Sequence, residues 1–114
     1  MGAFTPLDEF GFHHALAGTR GIALVIFTSA GCGSCRAWKR LLAAYRTQHP
    51  DHALFEVDAG HVQALAREFN VFHLPALFLY RDGHFHSALH SEAHPEKLRA
   101  AIEATLAMPA QEAP

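Results

Sequence analysis

The sequence predicts an α/β domain, a mixed central β-sheet flanked by helices on both faces. Three observations predict it. The apolar run "IALVIF", Ile22 to Phe27, and the segment "ALFEVDA", 53–59, read as strands buried on both faces, and an amphipathic helix separates them. Strand–helix–strand order implies parallel pairing with right-handed crossovers. Asp82-Gly83, between "PALFLY" and "HFHSAL", is a tight-turn signal and adds an antiparallel hairpin.

Each element has its own signature. "AFT", 3–5, could supply a short edge strand. From Leu7 to Ala17, Phe10, His13, His14 and Ala17 fall at helical spacing, and Gly18 closes the element. "GIALVIFT", 21–28, is the first buried strand, and "SAGCG", 29–33, is a turn of small residues. From Ser34, a helical stripe of Trp38, Leu41, Leu42 and Tyr45 runs to His49-Pro50. "HVQALAREFN", 61–70, is a helix with Val62, Leu65, Ala66 and Phe69 inward. Pro95 marks the start of the last helix, with Leu98, Ile102 and Leu106 on its inner face. One domain over 1–108 and a short tail over 109–114 account for the 114 residues.

Half of the residues are hydrophobic, enough for a core without staples. The formal charge is −2, from 9 basic and 11 acidic residues, which offers no electrostatic footprint for nucleic acid or an anionic membrane. No apolar run reaches the ~18 residues that cross a bilayer. Asp8 and Glu9 stand where a signal peptide carries basic residues. A monomeric cytoplasmic protein is the expectation, with a periplasmic one fitting if a leader is removed. The 10 histidines read mostly as solvated faces: His13-His14, His49-His52 and the series His84, His86, His90, His94. His84 and His86 share one side of their strand by the period of two, a candidate weak metal patch.

Cys32 and Cys35, the chain's two cysteines, lie where a buried strand meets an amphipathic helix. Positions three apart on a first helical turn share a face, close enough for a disulfide. Cys32 would meet the unsatisfied N–H groups and partial positive charge of the helix start, which favour a thiolate. Cys35, a turn deeper, should stay protonated until needed. Arg36 and Lys39 add positive charge nearby. This asymmetry outlines an exchange in which Cys32 attacks a disulfide and Cys35 resolves the mixed disulfide. Two other readings stay open: half of a metal site completed by histidines, and a pair of buried core fillers.

The sequence resembles the thioredoxin family over nearly its whole length, from "FTPLDEFGFHHAL" to "EKLRAAIEATL". The resemblance rests on "ALVIFTSAGCGSC", "FEVDA", the segment "FNVFHLPALFLYRDG" and the final helix. Its most specific part is the CxxC together with Pro75, 40 residues beyond Cys35, opening the next strand. It implies a thioredoxin-like fold and a protein-disulfide oxidoreductase whose only redox group is the Cys32–Cys35 disulfide, with no bound cofactor or metal. It also implies a cis Leu74–Pro75 bond in a loop facing the cysteines, with the Leu74 backbone turned outward to pair with an extended substrate segment. An NADPH-dependent flavoprotein reductase (thioredoxin reductase) would recycle such a protein.

The chain departs from the family pattern at several positions. The family's Trp-Cys-Gly-Pro-Cys reads here Gly31-Cys32-Gly33-Ser34-Cys35. Gly31 removes a substrate-facing aromatic. Ser34 replaces a proline and could donate a hydrogen bond to sulfur, and these changes are expected to raise the reduction potential. The family's buried Asp falls at Ile26 and its accompanying Lys at Leu54, so the group that takes the proton from Cys35 is missing. General-base assistance is worth about 10²–10⁴-fold, so exchange slower than that of a standard thioredoxin is expected. His73, two residues before Pro75, is a candidate substitute base. Ser91 falls where the family carries a glycine and narrows the docking surface. Gly31, Gly33, Ser34, His73, Leu74, Pro75 and Ser91 are thus the expected substrate-binding positions around Cys32 and Cys35. The alternatives are a thioredoxin-like binding module with a vestigial disulfide, and a metal-binding protein using the CxxC with a histidine.

Overall fold

A computed structural model describes residues 3–114. Nine elements follow in order: β1 (Thr5–Pro6), α1 (Phe12–Ala17), β2 (Ile22–Thr28), α2 (Gly33–Thr47), β3 (Ala53–Asp58), α3 (Gln63–Glu68), β4 (Ala76–Arg81), β5 (His84–Leu89) and α4 (Pro95–Ala107). The five strands form one sheet in the order β1-β3-β2-β4-β5. β1 and β2 pair parallel with β3, while β4 pairs antiparallel with both β2 and β5. The mixed sheet anticipated from the sequence is therefore observed, with β2 at its centre.

The continuous apolar run of β2 exists because both of its faces are covered. Val25 and Phe27 join Phe12, Leu16, Phe55, Val57, Leu65, Phe69, Phe78 and Tyr80 in a cluster under α1 and α3. Leu24 and Ile26 join Trp38, Leu42, Leu54, Leu77, Leu79, Leu98 and Ile102 under α2 and α4. The first cluster is aromatic, and Phe12, Phe69, Phe27 and Phe78 meet at ring separations of 5.0 to 5.5 Å.

The hairpin turn is Asp82-Gly83, both with positive φ (51° and 83°), as a two-residue turn between paired Arg81 and His84 requires. A side chain at Gly83 would put its Cβ 2.6 Å from the Ala17 carbonyl oxygen. Asp82 also accepts a 2.8 Å hydrogen bond from the Gly21 N–H, tying the hairpin to the start of β2.

Some expectations need correction. Helix α1 does not begin at Leu7, because the Asp8 carboxylate accepts from the Phe10 and Gly11 N–H groups and holds a turn ahead of the helix. Phe10, on that turn, is exposed, and the buried pair is Phe12 and Leu16. The edge strand is Thr5–Pro6 rather than residues 3–5. Helix α3 is shorter than the segment 61–70. It ends in a Schellman motif: Asn70 takes φ 54°, its N–H reaches the Arg67 carbonyl and the Val71 N–H reaches the Ala66 carbonyl.

Several histidines are not solvated. His86 is 4% exposed, with Nε2 2.8 Å from the Thr105 carbonyl oxygen, whereas His84 is exposed, so the two do not form a patch. A register shift between Leu79 and Tyr80 accompanies this change of environment. The His49 ring stacks on Tyr45 at 4.2 Å, and the Tyr45 hydroxyl lies 3.0 Å from His52 Nδ1. The tail lies against β5, where the Gln111 N–H donates to the His86 carbonyl at 2.6 Å.

Candidate active site

Topology gathers the candidate residues at one end of the sheet. The C-terminal end of β2 leads through Ser29–Gly31 into Cys32. Phe27 pairs with Ala76, so Pro75 enters the sheet beside the same strand end. Leu77 pairs with Leu89, which brings the segment after β5, with His90 and Ser91, to that end as well. The C-terminus of β3 pairs there too, Thr28 with Asp58.

Cys32 and Cys35 are joined as a disulfide with Cα atoms 5.4 Å apart. Cys32 is the N-cap of the 15-residue helix α2, in extended backbone conformation, and no side chain caps the helix. The first N–H groups of the helix thus have no side-chain cap, and Cys32 stands at the positive end of the helix. The turn is held by Cys32 N–H to Ser29 carbonyl (3.2 Å) and Cys35 N–H to Cys32 carbonyl (3.3 Å). Exposure divides the pair as the helix geometry suggests: Cys32 is partly exposed and Cys35 is 3% exposed. Ser34 Oγ lies 3.7 Å from Cys32 Sγ, and since the bridged sulfur carries no hydrogen, the hydroxyl is the donor.

Gly31 and Gly33 flank Cys32, and a Cβ built on either would meet nothing within 4 Å. The glycine at 31 is thus not required by the backbone, and its effect is to leave the surface beside Cys32 flat. The Leu74–Pro75 peptide bond is cis. Leu74 and Pro75 are half-buried, whereas His73 is exposed and its ring has no hydrogen bond or ion pair among the described residues. Ser91 is half-buried and its hydroxyl donates to the Glu92 carbonyl at 2.8 Å.

Two features escaped the sequence reading. Phe72 is 83% exposed and edges an open groove with Val71, His73, Pro75, Ala88 and His90. A large aromatic two residues after the helix-ending Asn70 was the available signal. The second is an ionic group where α2 meets the ends of β2 and β3. Lys39 is not simply solvated: its Nζ lies 2.7 Å from Glu56 Oε1. Thr28, 5% exposed, donates its hydroxyl to Glu56 Oε2 at 2.6 Å. Ile26 (0% exposed) and Leu54 (2% exposed) are packed core residues, so no carboxylate stands at position 26. Among the described residues, no three His, Cys, Asp or Glu side chains converge in a way that could hold a metal ion.

The thioredoxin family profile matches residues 4–104, and the chain belongs to that family. It is 35% identical over 81 residues to Thioredoxin-2 of Pyricularia oryzae, which covers 71% of this chain and 47% of that protein. It is 29% identical over 85 residues to Thioredoxin-1 of Schizosaccharomyces pombe, covering 75% and 82% respectively. A 35% match to Thioredoxin domain-containing protein 2 of Mus musculus covers 64% of this chain and 15% of that protein. The chain therefore spans less than half the length of two of these relatives. Mitochondrial thioredoxin 3 of Saccharomyces cerevisiae in its oxidised form superposes with a TM-score of 0.74 at 20% identity, covering 93% of this chain and 96% of that one. Thioredoxin f2 of Chlamydomonas reinhardtii gives 0.77 at 21% identity, covering 89% and 94%. At these identities the likeness establishes the fold, which is the thioredoxin fold.

Proposed function

We propose that this chain performs thiol–disulfide exchange on protein disulfides. The observation that carries the reading is the division of one bridged pair at a helix mouth: Cys32 reachable, Cys35 buried. In the reduced protein, the Cys32 thiolate attacks a substrate disulfide, stabilised by the start of α2 and by the Ser34 hydroxyl. The resulting mixed disulfide is resolved by Cys35, which closes the Cys32–Cys35 bridge and releases a substrate thiol. Leu74 and Pro75 form the docking loop. Gly31, Gly33, Ser34, His73 and Ser91 shape the surface around it, and Phe72 supplies an aromatic contact.

The substrates are extended segments of other proteins, and no bound cofactor enters the cycle. An NADPH-dependent flavoprotein reductase returns the disulfide to dithiol. The protein works as a monomer in the cytoplasm, a reducing compartment in which a CxxC pair serves exchange chemistry. Position 26 itself supplies no proton acceptor, since Ile26 is a packed core residue, and exchange is slower than in a thioredoxin with an acid there unless another base serves Cys35.

Insulin reduction by dithiothreitol tests the reading. The protein should accelerate the turbidity of precipitating insulin B chain, Cys32→Ser should not, and Cys35→Ser should accumulate a mixed disulfide reversible by dithiothreitol. Turbidity unaffected by the parent protein, with Cys32→Ser behaving identically, would identify a binding module instead.

A further inference from the structure

We propose that the Glu56 carboxylate, held by Thr28 and Lys39, is the proton acceptor for Cys35 in this chain. The inference rests on the reading of Cys35 as the resolving thiol and assigns the group that serves it.

Placement is the first argument. Glu56 is in register with Ile26 on the neighbouring parallel strand. Paired residues of parallel strands point to the same side of the sheet, and Ile26 faces α2 with Leu24 and Leu54. Glu56 therefore lies on the face that carries the cysteine helix. Its two oxygens are fixed from opposite directions, by Thr28 at the end of β2 and by Lys39 on α2. Thr28 is four residues before Cys32, and Lys39 is one turn after Cys35 on the same helical stripe. The carboxylate thus spans the space between the end of β2 and the second turn of α2, the helix whose first turn holds Cys35.

Environment is the second argument. The Glu56 side chain is 22% exposed, against 39% to 76% for the other carboxylates in ion pairs. The Lys39 Nζ lies over the Phe4 ring, 5.4 Å from its centroid. An exposed pair is worth little to stability, whereas this carboxylate uses a buried hydroxyl as well as an ammonium. The groups facing it are Ile26 and Thr28 from β2, Pro6 from β1, and Lys39 from α2. Asp58, two residues on along β3, is the nearest acid on the same strand, and Lys39 is the sole ionic partner of Glu56 among the described residues.

In the resolving step, the Cys35 Sγ–H proton passes by way of solvent to Glu56. The Cys35 sulfur pair forms the bond to Cys32 Sγ, and the bond from Cys32 to the substrate sulfur breaks. That sulfur leaves as a thiolate and is protonated from solvent. Glu56 then returns its proton to solvent. Lys39 and Thr28 act as positioning residues, holding the two carboxylate oxygens in place.

Rapid mixing of the reduced protein with 5,5′-dithiobis(2-nitrobenzoate) separates the steps. The first thionitrobenzoate released reports attack by Cys32, and the second reports resolution by Cys35. For Glu56→Gln, the second phase should slow by about 10- to 100-fold at pH 7, with the first phase within about twofold. Its pH profile should lose the carboxylate limb, and Glu56→Asp should restore part of the rate and the limb. Should Glu56→Gln fail to fold, Thr28→Val carries the test, since losing that hydrogen bond should move the limb to higher pH. A second phase with unchanged rate and profile in Glu56→Gln, or an unmoved limb in Thr28→Val, overturns the assignment while leaving Cys35 as the resolving thiol. A parent protein with no second phase, like Cys35→Ser, overturns both.

Discussion

Replacing Ile26 by aspartate would restore the family's acid and would damage the core that has formed in its place. Ile26 is fully buried among Leu24, Trp38, Leu42, Leu54 and Leu77. Removing its apolar side chain costs about 2–5 kcal/mol, as in other large-to-small core changes. The carboxyl that replaces it, even neutral, enters this face without an acceptor or donor of its own, for Thr28 already donates to Glu56. An unsatisfied buried group costs about 1–3 kcal/mol more. A loss of about 5 kcal/mol at acidic pH follows, a large part of the ~5–15 kcal/mol that holds a domain folded.

The loss should also grow with pH. Burial raises the carboxyl pKa in the folded state, so the unfolded chain gives up its proton first. Above the ordinary Asp value of about 3.9, stability then falls by about 1.4 kcal/mol per pH unit until the folded pKa is passed. Urea denaturation at a series of pH values between about 4 and 7 measures both effects, with Ile26→Asn as the control whose loss stays flat. A loss under about 1 kcal/mol that is the same at every pH would refute a sealed interface between α2 and the sheet.

Two further outcomes follow from the structure. Gly83→Ala should cost at least about 2 kcal/mol in denaturant titration, from its positive φ and the 2.6 Å approach of Cβ to the Ala17 carbonyl, and a cost near zero would contradict that packing. Burial, aided by His49 and opposed by Asp51, holds His52 below its ordinary 6.5, while burial with Glu103 and Asp51 pushes its partner Tyr45 up to about 12. Because the folded state resists protonating His52, the stability it contributes is complete above pH 6.5 and falls away as pH drops through the folded value. His52→Asn should flatten stability against pH below 6.5, and an unchanged slope would count against the Tyr45–His52 contact.

Much of the site was legible because its signals are local. A helix start determines which of two cysteines three apart meets the N-terminal N–H groups, so the exposure of Cys32 and burial of Cys35 follow from their order in the chain. The period and composition of residues 22–28 likewise predict a strand covered on both faces, which β2 is. Turn chemistry competed with helical spacing at Asp8, and the helix start was misplaced where the two disagreed.

By itself, the sequence determined the order of elements, the sheet's hairpin edge and the pairing of the two cysteines on one turn of a helix, because each depends on neighbours a few residues apart. Only the tertiary structure decided which charged groups stand beside that helix. Thr28, Lys39 and Glu56 are remote from one another in sequence and carry no motif, and they meet because β2, β3 and α2 converge at one end of the sheet. Folding also decided which histidines are buried, since His84 and His86 differ only in what packs against them.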